Sequence, residues 1–365
     1  LMIVQQLLET LDQWAPKAYA EDFDNVGLLV GDSKTRCTGV LISLDCTEAV
    51  VEEALAEKCN VILSFHPIIF SGLKKITGAH YVERVVQKAI KNDLVIIALH
   101  TRLDNHPQGV NHVLCERLGL HRTQVLIPKK DTLKKLVTYV PKSHVESVLK
   151  ALHGAGAGDL ENYSECSFLL EGTGHFTGNE KSTPHLGEKL EKASVQEVQI
   201  NVVFESHLLH TVQKVLQQAH PYETVAYEIY HLINSFAEVG MGRIGYLENE
   251  MDLASFLQFV KKQLNTELIR YSPDPGKSIK KVAVLGGSGS FAIEDAKRQN
   301  ADAFITADLK YHQFYQGEKE LVLIDVGHYE SEQYTKNLIF DYLTKKLPNF
   351  AFVLSRTETN PVNYF

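Results

Sequence analysis

Residues 38–67 read TGVLISLDCTEAVVEEALAEKCNVILSFHP. The run 40–44 is apolar apart from one serine, which suits a strand buried on both faces of a sheet. Thr47 then offers an N-cap side chain, and 48–58 carries helical spacing through Val51, Ala54 and Leu55. A second strand follows at 61–64. Working outward, a helix at 81–92 and a third strand at 94–99 complete β-α-β-α-β over residues 38–106, the signature of a mostly parallel sheet.

Residues 281–355 repeat the theme. A strand at 282–285 runs into Gly286-Gly287-Ser288-Gly289-Ser290, then come a helix at 291–299, strands at 303–306 and 321–325, a helix at 331–346 and a last strand at 350–354. The stretch between has another texture. Residues 128–235 read as strand 136–140, helix 144–152, strand 167–171, loop 177–184, strand 198–204, helix 208–219 and strand 225–231. That order is the split β-α-β pattern of ferredoxin-like folds. The expected fold is therefore α/β: a mostly parallel-sheet core domain formed by both chain ends (1–127 and 236–365), interrupted by a ferredoxin-like α+β insert (128–235).

Composition narrows the function. A net charge of −8, with lysines and arginines scattered among acids, argues against a nucleic-acid binder, which needs a concentrated basic face. Five cysteines, odd in number and without a C-x-x-C pair, argue against a disulfide framework or a thiolate zinc site and fit a reducing cytoplasm. The N-terminal stretch has Leu7, Leu8, Leu11 and Trp14 on one helical face and lacks the layout of a signal peptide. No apolar run approaches the roughly 18 residues of a membrane span. A soluble cytoplasmic protein acting on or binding a small molecule is the expectation.

The chemistry should lie beyond the carboxyl ends of the strands, and those ends are polar. The strands lead into Asp45, into His66, into His100 and Asp104, into Asp308 and His312, and into His328 and Glu332. His328 and Glu332, four apart at a helix start, face one direction. Imidazole and carboxylate donors suit zinc, iron or manganese. The glycine loop 286–290 lacks the G-K-[S/T] of a nucleotide-binding P-loop. It resembles a degraded G-x-S-x-G elbow, for which Ser288, Asp308 or Asp325, and His328 would form a hydrolase triad. That reading leaves His66 and Asp104 unexplained; a tight turn able to bind an anion is preferred. In the insert, His220-Pro221-Tyr222-Glu223 is a polar cluster that either ends a helix or binds something.

Four motifs occur in order: Ser64-Phe65-His66-Pro67-Ile68-Ile69-Phe70-Ser71-Gly72-Leu73-Lys74, His100-Thr101-Arg102-Leu103-Asp104, Thr306-Ala307-Asp308-Leu309-Lys310-Tyr311-His312 and Gly327-His328-Tyr329-Glu330-Ser331-Glu332. Together they resemble the NIF-three-like family of dinuclear metal proteins, the GTP cyclohydrolase 1 type 2 homologues. The resemblance covers both flanking stretches, and 128–235 resembles the CutA/PII-type insert of the longer members. It implies metal ligands at His66, Asp104, His328 and Glu332, one or two divalent ions per chain, and a homo-hexameric ring. The family pattern opens with two adjacent histidines, and here the first is Phe65, which cannot ligate.

The function expected from this is metal-assisted hydrolysis, with GTP or a related nucleotide as substrate and His100, Asp308 and His312 as candidates for proton transfer or ligand orientation. The rival is a non-enzymatic metal- or ligand-binding regulator with the insert as sensor or interaction module.

Overall fold

Val40–Ser43, Val61–Ser64 and Val95–Ala98 lie side by side as parallel strands and are buried throughout. Strands this apolar are stable only where both sheet faces are covered. Phe352–Leu354, from the far end of the chain, extends the sheet in parallel beside Val40–Ser43. Gly27–Val30 closes the other edge antiparallel to Val95–Ala98. The Thr47 hydroxyl accepts from the Val50 N–H and caps helix Glu48–Ala56. Helix Val4–Trp14 sends Val4, Leu7 and Leu11 into one core with Val40, Leu63 and Phe65.

These elements belong to a computed structural model that describes residues 2–365. The chain divides into two compact units, Leu1–Pro128 with Ala237–Phe365, and Lys129–Phe236. The first unit is mixed α/β and holds a second sheet. In it Ile279–Ser288, Ala303–Ala307 and Val322–Asp325 run parallel. Gly240–Met251, His121–Pro128 and Arg270–Tyr271 join them antiparallel. The mostly parallel sheet expected from the sequence holds for the first sheet, with one antiparallel edge, while the second sheet is mixed. The long antiparallel strands leave little trace in the apolar pattern: His121–Pro128 opens HRTQ and Gly240–Met251 closes ENEM.

Two helices also differ from expectation. The one expected at 331–346 is two, His328–Glu332 and Thr335–Lys346, so His328 already sits in a helical turn. The one expected at 291–299 is a 3₁₀ turn, Ser290–Ala292, followed by Ile293–Arg298.

The second unit runs strand Leu133–Pro141, helix Val145–Gly154, strands Phe168–Thr177 and Lys192–Glu205, helix Leu209–Ala219 and strand Tyr227–His231. Its sheet is antiparallel in the order Phe168–Thr177, Lys192–Glu205, Leu133–Pro141, Tyr227–His231. Val148, Leu152, Val212 and Leu216 of the helices pack on Leu136, Val140, Ile200 and Phe204. Among the described residues, no helix is long and apolar enough to cross a membrane.

A candidate metal centre at the strand ends

Parallel strands deliver their carboxyl ends to one edge, and in the first unit three histidines stand just beyond such ends. Each has a carboxylate on its Nδ1. His66 pairs with Asp45 at 2.8 Å, His100 with Asp24 at 2.7 Å and His328 with Asp308 at 2.7 Å. A neutral imidazole that donates from Nδ1 keeps its lone pair on Nε2, and a carboxylate behind it raises its basicity. That is how metal-binding histidines are commonly supported.

The free nitrogens converge. His66 Nε2 lies 3.0 Å and His328 Nε2 3.1 Å from Glu332 Oε2. One donor atom from each of the three residues falls within 4.8 Å of the others, the spacing a single ion can bridge. His66 Nε2 and Glu332 Oε2 are buried without a well-aligned hydrogen bond, and so is Asp104 Oδ1. Buried polar atoms without partners are costly, which marks these donors as candidates for a ligand site. Asp104 stands outside the close triangle, although the charges of Glu332, His66 and His328 act on it.

The electrostatics tell the same story. Burial, reinforced by the Glu332 charge, raises the Asp104 carboxyl well above its ordinary value. Burial opposes a charge on His66, yet Glu332 and the Asp45 hydrogen bond outweigh it and lift the imidazole to about 10. His328 is raised to about 11, where burial is overcome by its hydrogen bonds to Asp308 and Glu332. Glu332 itself is held far below the carboxylate range, because the positive charge of His66 and the contacts of His328 overcome its burial. The cluster thus draws positive charge to Glu332.

Local sequence makes room for this. Gly287 has a φ of +69°, and a Cβ there would stand 2.4 Å from Glu332 Oε1. The glycine loop is therefore a backbone that lets a carboxylate pass. Two of its N–H groups are taken, Gly286 by Asn111 Oδ1 at 3.0 Å and Gly287 by Ser331 Oγ at 2.9 Å. Asn111 also donates to the Asp104 carbonyl, so one side chain ties both loops. Ser331 bonds back to the His328 carbonyl. From the C-terminal segment, the Thr359 hydroxyl donates to Asp45 Oδ2 at 2.6 Å.

Of the residues singled out from sequence, His66, His328 and Glu332 come together, with Asp104 beside them and Asp308 behind His328. The His100 ring centre is 5.5 Å from that of His66. His312 is exposed on the 3₁₀ segment Tyr311–Gly317, against the rings of Tyr311 and Tyr315. The hydrolase triad does not form. Ser288 Oγ and His328 Nδ1 both bond Asp308 Oδ2, which puts the acid in the middle, where a triad needs the histidine. Phe65 is fully buried in the apolar core with its ring 4.9 Å from His66. Asp24, Asn111 and Thr359 carry no signal of their own in the sequence, since each lies outside the quoted motifs and acts only through a tertiary partner.

Comparison with known proteins gives the family. A family model described as Duf34/NIF3 (NGG1p interacting factor 3) matches residues 2–361. The chain is 40% identical to the GTP cyclohydrolase 1 type 2 homolog of Bacillus subtilis (strain 168), covering 99% of this chain and 98% of that one. It is 34% identical to the protein of the same name from Staphylococcus epidermidis, over the full length of both. Among solved structures, a Bacillus cereus protein related to NIF3 superposes with a TM-score of 0.88 at 36% identity, covering 100% and 99% of the two chains. Staphylococcus aureus protein SA1388 gives 0.79 at 31%, with the same coverage. With the ordered motifs meeting in one cluster and the family model spanning nearly every residue, the chain belongs to the Duf34/NIF3 (NGG1p interacting factor 3) family.

Proposed function

We propose that the chain is a metal-dependent hydrolase whose ion is held by His66, His328 and Glu332, with Asp104 as the adjoining ligand. One observation carries the reading: the Nε2 atoms of His66 and His328 converge on one oxygen of the buried Glu332 carboxylate, and each imidazole is backed by a second carboxylate. The nitrogen and oxygen donor set suits zinc, iron or manganese. A divalent ion there supplies Lewis acidity and makes water a better nucleophile near neutral pH.

The surrounding residues divide the remaining work. Asp45 and Asp308 orient the ligating rings, and Asp308 is further committed by the Ser288 hydroxyl. His100 is the group suited to carry a proton: Asp24 holds its Nδ1 and its ring stands next to His66. His312, exposed and away from these contacts, is left out of the mechanism. Because Phe65 has no donor atom, the proposal is one tightly held ion per chain, with any second ion weaker. A GTP-like nucleotide is the first substrate class to test, following the name that the relatives carry. The homo-hexamer implied by the resemblance belongs to the same reading and is checked by sedimentation.

The deciding experiment pairs metal analysis of purified protein with turnover of GTP, other nucleotides and phosphoesters, beside Asp104→Ala. Metal-dependent turnover abolished in the variant supports the hydrolase. Tight ligand binding without turnover replaces it with a regulatory role, and protein that binds no zinc, iron or manganese removes the centre altogether.

A further inference from the structure

The second unit contains a cavity of about 660 Å³, within the range of small-molecule sites. Its floor is the helix-free face of the sheet, where Tyr139 and Gln199 alternate with Val140 and Ile200, which face the helices. Glycine carves the space. Gly172 pairs directly with Glu197, and at Gly174 a Cβ would stand 2.0 Å from Glu197 Oε2. A side chain there would displace the carboxylate.

Glu197 is the informative residue. It is only 8% exposed, yet it lines the cavity. Its Oε1 accepts from the Tyr222 hydroxyl at 2.6 Å, and among the described residues no donor is found for Oε2. The Tyr222 ring sits 6.5 Å from that of Phe176 and 6.1 Å from that of His185. Glu223 ties the opposite wall by accepting from the Thr183 N–H at 2.7 Å. Glu171, Glu197 and Glu223 all line the cavity; Glu171 is already paired with Lys142 Nζ at 2.8 Å, which leaves Glu197 as the buried carboxylate facing the space. A buried carboxylate with a spare oxygen, next to aromatic rings, matches a positively charged organic group.

We propose that this cavity is a binding site, built from residues other than those of the proposed metal centre, for a small organic cation with a flat apolar body: the ammonium on Glu197 and the ring against Phe176 and Tyr222. The turn His220-Pro221-Tyr222-Glu223 then has a role. His220 closes it by bonding the Tyr139 carbonyl at 2.9 Å, which presents Tyr222 and Glu223 to the cavity.

Calorimetry on the full chain tests this with three matched probes: phenethylamine, the neutral phenethyl alcohol and the anionic 3-phenylpropanoate. The amine should bind at least about tenfold more tightly than either analogue. Glu197→Gln should remove that preference while keeping the wild-type far-UV circular dichroism and metal content. Gly174→Ala, which displaces the carboxylate, should weaken the amine in the same way. The proposal is overturned if millimolar amine fails to bind, if the alcohol or acid binds as well, or if Glu197→Gln binds the amine like wild type.

Discussion

At the scale of single residues, the carboxylates behind the histidines are the most testable part of the centre. Asp45 and Asp308 each hold a candidate ligand by Nδ1 without being ligands themselves. Removing such a partner commonly costs about 10- to 100-fold in metal affinity. Asp45→Asn and Asp308→Asn should each show that loss in competition with a chelator, with the fold retained. Phe65 poses the complementary question. Phe65→His puts a polar ring where the side chain is fully buried, so stability should fall by about 1–3 kcal/mol. If position 65 is where a second ion lacks its ligand, bound metal per chain should nonetheless rise. Unchanged metal content with lower stability would make Phe65 a packing residue only.

At the scale of elements, one carboxylate takes four hydrogen bonds from the start of the C-terminal segment that reaches the centre. Glu53, on helix Glu48–Ala56, accepts from the N–H groups of Arg356 and Thr357 and from the hydroxyls of Ser355 and Thr357. Burial works against its charge, but these hydrogen bonds outweigh it and hold the carboxyl below its ordinary 4.5. A carboxyl depressed in the folded state contributes stability that is full above the unfolded value and lost as pH falls through the folded one. Glu53→Gln should therefore cost about 1 kcal/mol at pH 7, a figure already discounted for exposure. The gap to wild type should narrow in urea titrations as pH drops below 4.5; a gap independent of pH would contradict this. This fastening is invisible in the sequence, since Glu53 and Ser355 are ordinary polar residues until the fold joins them. What is legible follows a physical rule. Fully buried parallel strands announce themselves as apolar runs, and Val61–Ser64 is found at the expected residues. Gly240–Met251 does not, because glycines and a charged tail dilute its pattern. The site divides likewise: His66, His328 and Glu332 stand out through motif order, whereas Asp24 and Thr359 require the tertiary structure.

At the scale of the molecule, the proposed metal centre and the insert cavity draw on different units. Every residue assigned to the centre lies in Leu1–Pro128 or Ala237–Phe365, and every residue lining the cavity lies in Lys129–Phe236. The point of insertion suits excision. Pro128 and Gly240 are directly paired neighbours in the antiparallel strands His121–Pro128 and Gly240–Met251, so the chain leaves and re-enters the sheet at one place. Deleting residues 129–236 leaves Ala237-Glu238-Val239 to cross between paired strands, a span that hairpin loops of two to five residues make routinely. One or two added glycines relieve any strain, and a shorter loop costs less closure entropy than the insert it replaces. The shortened protein should fold, retain its metal and lose phenethylamine binding. Circular dichroism, metal analysis and calorimetry on one preparation separate the outcomes. Metal loss from a folded product would mean that the centre depends on the insert. Retained amine binding would mean that the cation site lies outside the insert, whatever the state of the metal.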